Sequence, residues 1–103
     1  MINEFDSYRL YYHSAPQYQW QSRLFLYKNG GFAGSVFFMK EGVSMPENVE
    51  IGGQPRLHFP AAKFEEIMNV LRHEKPLYIS LVPANGIGTI STTNEPIGEE
   101  EPI

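Results

Sequence analysis

The stretch RLFLYKNGGFAGSVFFMK, residues 23–40, predicts a β-hairpin. Its Asn29-Gly30 pair lies between two apolar runs. That pair favours a type I′ turn, because both central residues of such a turn need a positive φ. A two-residue turn sets Tyr27 opposite Phe32 and Leu26 opposite Ala33.

Both sides of this hairpin are apolar. The two-residue register puts Phe25, Tyr27, Phe32, Val36 and Phe38 on one side, and Leu24, Leu26, Ala33 and Phe37 on the other. The alternative is a three-residue loop of residues 29–31 with a bulge, which groups Leu24, Leu26, Phe32, Val36 and Phe38. Either register requires a covering on each face of the hairpin, and the sequence offers one obvious covering, a helix.

The chain around the hairpin predicts one α+β domain over residues 1–94. Alternation and turn residues place six strands at Asp6–Ser14, Gln19–Lys28, Gly31–Lys40, Pro55–Phe59, Leu77–Val82 and Ile87–Thr93. The loop 41–54 is long enough to be either mobile or functional, and Val49–Ile51 could form a short strand inside it. We expect a curved antiparallel sheet of five to six strands, in the order ββββαββ, packed on one helix.

The helix is predicted from Pro60 to about His73 or Glu74. Four apolar residues recur at the spacing of one helical face, namely Phe64, Ile67, Met68 and Leu71. Proline suits the first helical position, and Pro76 ends the element. We expect Phe64 and Leu71 to be buried against the sheet.

The totals restrict the class of protein. The chain has 103 residues and no cysteine, so disulfides, thiolate nucleophiles and thiolate zinc sites are excluded. No segment reaches the roughly 18 apolar residues that a membrane span needs, and the first residues lack the apolar core of a signal peptide. We expect a soluble, cytoplasmic protein with no membrane partner. Residues 95–103, EPIGEEEPI, predict an acidic, flexible tail.

The sequence lacks the patterns of common catalytic sites. None of its three histidines has a carboxylate at motif spacing, and Asp6 is the single aspartate. Nucleophile-elbow, zinc-protease and phosphate-loop motifs are missing too. We therefore expect a protein that is not an enzyme and uses no cofactor or metal.

Charge is distributed unevenly, although the net charge is −4. From Ser7 to Lys40 there is no acid, whereas four bases and ten of the fourteen aromatic residues fall in that span. From Phe59 onward three bases meet seven acids. A basic, aromatic surface is typical of proteins that hold single-stranded nucleic acid, because bases stack on rings and phosphates attract cations.

These features predict a site for single-stranded DNA or RNA. The candidate residues are Arg9, Tyr11, Trp20, Arg23, Phe25, Tyr27, Lys28 and Lys40. Arg56 adds a base on the fourth predicted strand, and the acidic tail is expected to compete for this surface. The alternative is a homodimeric protein-interaction module without a nucleic-acid ligand, whose partner buries the second face of the hairpin. Exposure of Tyr11, Arg23, Phe25 and Tyr27 favours the first function, and their burial favours the second.

The order of four aromatic, basic strands and a helix resembles the ββββα unit of the Whirly and PUR-type single-stranded nucleic-acid-binding proteins. The resemblance rests on Tyr8–His13, Gln19–Lys28, Gly31–Lys40, Arg56–Phe59 and Pro60–His73, about two thirds of the chain. It is a likeness of topology without a diagnostic motif. It implies a homodimer, because such units occur in pairs. The trailing hairpin and the net acidity depart from the pattern.

Overall fold

A computed structural model describes residues 1–93, which form eight strands, a 3₁₀ turn and one α-helix. The strands are β1 (Ile2–Phe5), β2 (Ser7–Tyr12), β3 (Trp20–Lys28), β4 (Gly31–Met39), β5 (Val49–Ile51), β6 (Gln54–Pro60), β7 (Leu77–Val82) and β8 (Ile87–Thr92). The 3₁₀ turn Ala61–Lys63 leads into helix α1, Phe64–His73. The predicted α+β class is confirmed, and the predicted acidic tail lies outside the described residues.

The strands form two sheets instead of the expected single one. Five strands lie in the order β2-β3-β4-β6-β5, and three lie in the order β1-β7-β8. The predicted C-terminal hairpin therefore pairs with β1 at the N-terminus and not with the main sheet. Strand β1 was not predicted because its four residues, INEF, are too few to show a period.

The predicted antiparallel pairing holds for the other neighbours in the five-stranded sheet, but β6 runs parallel to β4. A parallel neighbour needs a crossover of about a dozen residues or more, and the long loop 41–54 supplies it. Within that crossover β5 folds back antiparallel onto β6. Asn48 fixes the crossover, since its side chain accepts from the His58 N–H at 2.8 Å and donates to the Gly86 carbonyl at 2.9 Å.

The hairpin turn is the two-residue one, with φ of 51° at Asn29 and 82° at Gly30. Tyr27 pairs with Phe32 as expected. A register shift follows at once, so that Leu26 pairs with Gly34 and not with Ala33. The Ala33 carbonyl accepts a hydrogen bond at 2.9 Å from the Asn3 side chain of β1, which holds the bulge.

The bulge changes which side chains share a face. Val36 and Phe38 now lie with Leu24 and Leu26, whereas Phe37 moves to the opposite side. Neither predicted grouping is fully right. The two-residue register separates Val36 and Phe38 from the two leucines, and the three-residue register adds Phe32, which is 44% exposed.

The core lies between the two sheets and under α1. On the five-stranded sheet it includes Leu24, Leu26, Val36, Phe38 and Leu57, each 0% exposed. The three-stranded sheet contributes Phe5, Leu77, Ile79 and Leu81, and α1 contributes Phe64 and Met68. Leu71, expected to be buried, is only partly buried against this core, so Met68 is the deeper anchor of the helix. Each large side chain removed from water contributes about 1.5–3 kcal/mol as an upper estimate.

The three-stranded sheet and helix α1 both pack on the same side of the five-stranded sheet. Within residues 1–93, the other side of the five-stranded sheet is left uncovered. We call the uncovered side the outer face. Within the described part of the chain, no helix is long and apolar enough to cross a membrane.

Candidate nucleic-acid interface on the outer face

Strand alternation determines the membership of the outer face. Leu24, Leu26 and Val36 point into the core, so their strand neighbours point outward. Residues that pair across neighbouring strands point to the same side of the sheet. The pairs Tyr11–Arg23, Arg23–Phe37 and Phe37–His58 therefore identify the outward side chains from β2 to β6. The outer face comprises Arg9, Tyr11, Trp20, Arg23, Phe25, Tyr27, Phe32, Phe37, Arg56 and His58.

Phe37 is the centre of this face. Its side chain is only 5% exposed, yet it does not belong to the core between the sheets. The guanidinium carbon of Arg56 lies 4.9 Å from the ring centroid, and that of Arg23 lies 6.0 Å from it. Trp20 meets the same ring edge-on at 5.1 Å. Phe37 is therefore buried by cations and rings of its own sheet, which it holds in fixed positions.

Arg23 is also held by its neighbours. Its guanidinium carbon lies 5.0 Å from the Phe25 ring centroid and 5.5 Å from that of Tyr11. A cation over a ring is worth about 0.5–1 kcal/mol at an exposed site and about 2 kcal/mol when desolvated. Planar guanidinium groups keep their hydrogen-bond donors free while they stack, so Arg23 can bind an anion without leaving the rings.

Further rings extend the surface on both sides of Phe37. Tyr18 stacks on Trp20 at 5.0 Å with planes 10° apart, and His13 meets Tyr18 at 4.9 Å. Toward the hairpin turn, Phe32 contacts Phe25 at 5.8 Å and Tyr27 at 5.9 Å. Tyr18 is 38% exposed and Phe32 44% exposed, so both present ring surface to solvent.

No acid balances the bases of the outer face within residues 1–93. The ion pairs there join Lys28 to Glu4 and Asp6, and Lys63 to Glu66, all away from this face. No carboxylate of the described residues therefore lies within 4.0 Å of the Arg9, Arg23 or Arg56 guanidinium. The positive charge of the arginines is available to an external anion.

Several polar atoms of this face have no hydrogen-bond partner in the described part of the protein. The buried atoms are Nε of Arg23, Nε of Arg56, Nε1 of Trp20, Nε2 of His13 and Nδ1 of His58. Buried polar groups in proteins are nearly always paired, so an unpaired cluster on one face requires an explanation. Most of these atoms are donors, and together with the arginines they favour a ligand rich in acceptors.

Burial, and then the charge of Arg56, lower the pKa of His58 below its usual value of 6.5. The His58 ring is therefore neutral at pH 7. Within the described chain, no group of three His, Cys, Asp or Glu side chains is placed to hold a metal ion.

Six of the residues predicted for the site, all those except the two lysines, lie together on the outer face. Exposure of four residues was expected to favour nucleic-acid binding, and their burial to favour the interaction module. In the single chain all four are half-buried, namely Tyr11, Arg23, Phe25 and Tyr27, so their burial does not decide between the two functions. Tyr11, Arg23 and Phe25 contact one another, and Tyr27 contacts Phe32.

The two predicted lysines lie elsewhere. Lys28 follows Tyr27 and so points to the other side of the sheet, where its ammonium pairs with Glu4 at 2.9 Å. There it lines a cavity of about 590 Å³ beside the end of α1. Lys40 follows β4, and its ammonium donates to the Ala15 carbonyl at 3.4 Å. Lys28 therefore lies off the outer face, and the Lys40 ammonium lies at the loop that leads to Tyr18.

Four residues of this surface were not predicted for the site, namely Phe37, His58, Tyr18 and Phe32. Phe37 was missed because the bulge at Ala33 reverses its side. The signal for His58 was present, since it alternates with Leu57 and Phe59 on β6 just as Arg56 does. Tyr18 precedes β3 and has no strand period of its own.

No protein-family model, curated protein or solved structure matches this chain. The resemblance to the Whirly and PUR-type proteins stays a prediction.

Proposed function

We propose that the protein is a non-enzymatic binder of single-stranded nucleic acid and that the outer face is its binding surface. One observation carries the proposal. Two guanidinium groups, Arg23 and Arg56, are held on the Phe37 ring at the centre of an aromatic face, with no carboxylate of residues 1–93 beside them. Phosphates fit the guanidinium groups, and bases fit the flanking rings.

The pattern favours a single strand over a duplex. Bases can stack on protein rings only when they are unpaired, and each stacked base contributes about 1–3 kcal/mol. Tyr18 and Phe32, at the two ends of the face, have the most exposed rings on this side of the sheet. Between them lie the arginines, so a strand crossing the sheet would meet ring, cation and ring in turn.

A protein-interaction module is the second candidate, favoured by one further observation. Val49 and Ile51 lie on the outward positions of β5, where they are 37% and 47% exposed. They extend the face with an apolar border that a nucleic acid does not use. A protein partner would bury this border together with Phe32, since exposed apolar patches often mark interfaces.

Trp20 provides the assay. It is the single tryptophan of the chain and lies on the outer face against Tyr18 and Phe37. Titration with an unlabelled homopyrimidine oligonucleotide should therefore change its fluorescence. Affinity should fall as salt rises, because phosphates bound by the protein release counterions, with a log–log slope of about −0.7 per phosphate on a single strand.

Matched arginine variants locate the contact. Arg23→Ala and Arg56→Ala should each weaken binding and flatten the salt slope by about 0.7 if each guanidinium holds one phosphate. Arg72→Ala removes the same charge from the exposed side of α1 and should change neither quantity. Arg23→Lys keeps the charge but not the planar group. It should retain most of the slope and lose affinity.

Two results would exclude the nucleic-acid function. One is the absence of binding tighter than about 10⁻⁴ M at low salt, the weak end of non-specific affinities. The other is an equal loss of affinity in Arg72→Ala and Arg23→Ala. A Trp20 signal that responds only to the concentration of the protein itself would instead favour the interaction module.

A further inference from the structure

Strand β2 is an edge of the five-stranded sheet, and its unpaired backbone groups are regularly spaced. The His13 N–H donates to the Gln21 carbonyl at 3.0 Å, which marks residues 13 and 21 as a hydrogen-bonded pair. Because such pairs alternate along an antiparallel ladder, the odd-numbered residues of β2 bond to β3. The N–H and C=O groups of Tyr8, Leu10 and Tyr12 therefore point away from the sheet.

β2 carries little of what usually protects an edge strand. Proteins shield edges with charged side chains, lysine above all, and with proline, bulges or very short strands. The sequence of β2, SYRLYY, has six residues without lysine or proline, and Arg9 is its only charged residue. Among the other edges, β5 has three residues and β1 has four, whereas β8 has six residues but belongs to the three-stranded sheet, away from the outer face.

We propose that β2 is the docking site for a second copy of this chain, with the two β2 strands paired antiparallel about a two-fold axis at Leu10. In this register Leu10 pairs with Leu10 of the partner subunit, and Tyr8 pairs with the partner's Tyr12. Both pairs use the outward backbone groups, so every hydrogen bond of the new ladder is made by groups that have no partner within residues 1–93.

Side-chain complementarity selects this register. Arg9 comes to lie opposite the partner's Tyr11, where a guanidinium group meets a ring. A register centred on Arg9 would bring two guanidinium groups face to face, which is unfavourable. A register centred on Tyr11 pairs fewer residues of β2. On the opposite side of the sheet, Tyr8 and Tyr12 are 37% and 60% exposed in the single chain and would cover each other.

The dimer also explains how a small sheet could present a long surface. Pairing β2 with its copy joins the outer faces of both subunits into one, with Arg9 and Tyr11 of each at the junction. This consequence for the ligand rests on the proposed function, whereas the dimer itself does not. It also differs from the dimer expected from the sequence, in which the partner covers the outer face.

The absence of cysteine makes a register-specific test direct. Single cysteines are placed at positions 9, 10, 11 and 12, and each variant is oxidised mildly at micromolar concentration. Cα atoms of a hydrogen-bonded pair lie about 5.5 Å apart, within the 4.4–6.8 Å range of disulfides. For a residue that lies one position from the axis, its Cα atoms in the two copies are offset by about 6.7 Å along the strands, because the rise of about 3.3–3.4 Å per residue counts once on each strand.

Leu10→Cys should therefore form a disulfide dimer on a non-reducing gel. Arg9→Cys, Tyr11→Cys and Tyr12→Cys should remain monomeric there. Cross-linking at position 9 or 11 in preference to 10 would overturn the register. Cross-linking at none of the four positions would overturn the use of this edge.

A second measurement covers the case in which Leu10→Cys fails to fold. Tyr8→Pro removes an N–H that makes no bond to β3, so the single chain keeps its ladder and the dimer loses a bond at each end. By sedimentation at high micromolar concentration, the unmodified protein and Tyr8→Ala should both have the dimer mass, and Tyr8→Pro the monomer mass. A monomeric unmodified protein, or a dimeric Tyr8→Pro that keeps its fold, would contradict the proposal.

Discussion

Gly34→Ala tests the contact between the two sheets, on which the identity of the outer face depends. Gly34 lies next to the bulge, and a Cβ added there would be 3.0 Å from the Pro55 carbonyl oxygen and 3.0 Å from Cδ1 of Ile79. Ile79 is 0% exposed, so neither neighbour can easily move away. Such overpacking costs about 1–3 kcal/mol. It outweighs the gain of about 0.4–1 kcal/mol that Gly→Ala brings by restricting the unfolded chain.

Gly31→Ala is the matched control on the same strand. Its added Cβ would lie at an ordinary 3.4 Å from the Lys28 carbonyl, so no net loss is expected. In urea or thermal unfolding, Gly34→Ala should be less stable than Gly31→Ala by about 1–3 kcal/mol. For a domain of this size that difference lowers Tm by about 4–8 °C per kcal/mol. Equal stability of the two variants would show that Ile79 does not pack on Gly34, and the assignment of the covered face would fail.

Two further predictions concern the helix and the outer face. Met68→Ala should cost about 2–5 kcal/mol in denaturant unfolding, and Leu71→Ala clearly less, because only Met68 is fully buried. Equal costs would contradict the observed helix face. His58 has its pKa lowered by burial and by Arg56, so the unfolded chain binds the proton more readily. The free energy of unfolding should therefore fall as pH drops below 6.5, the usual value, and His58→Asn should reduce that fall. An unchanged pH profile in His58→Asn would show that His58 is not buried beside Arg56.

The local parts of the fold could be predicted from the sequence. The Asn29-Gly30 turn, the central strands and the helix were predicted because their signals lie within a few residues. The bulge at Ala33 could not, since it is held by Asn3, thirty residues away, and by the fit of Gly34 under Ile79. For the same reason the separate sheet was missed, because β1 pairs with a strand at the other end of the domain.

The part of the site that follows regular strand alternation could be predicted from the sequence. Arg9, Tyr11, Arg23 and Phe25 follow the regular ladder between β2 and β3, and they share a face as expected. Past the bulge the alternation reverses, which hid Phe37, the residue that orders the arginines. Lys28 was predicted for the site because it is one of the four bases between Ser7 and Lys40. A count of charges does not show to which side of the sheet a side chain points.

Net charge is a poor guide to what this surface attracts. The whole chain carries −4, yet no acid occupies an outward position on the strands of the five-stranded sheet. Glu50, the only acid on those strands, pairs with Pro55 on inward positions of the ladder. Screening restricts charges to a range of about 8 Å at physiological salt, so a ligand on the outer face responds to the charges within this range and not to the net charge of the chain. An acidic protein can therefore bind a polyanion, provided that its acids lie more than this distance from the face, and its affinity should be unusually sensitive to salt that screens the arginines.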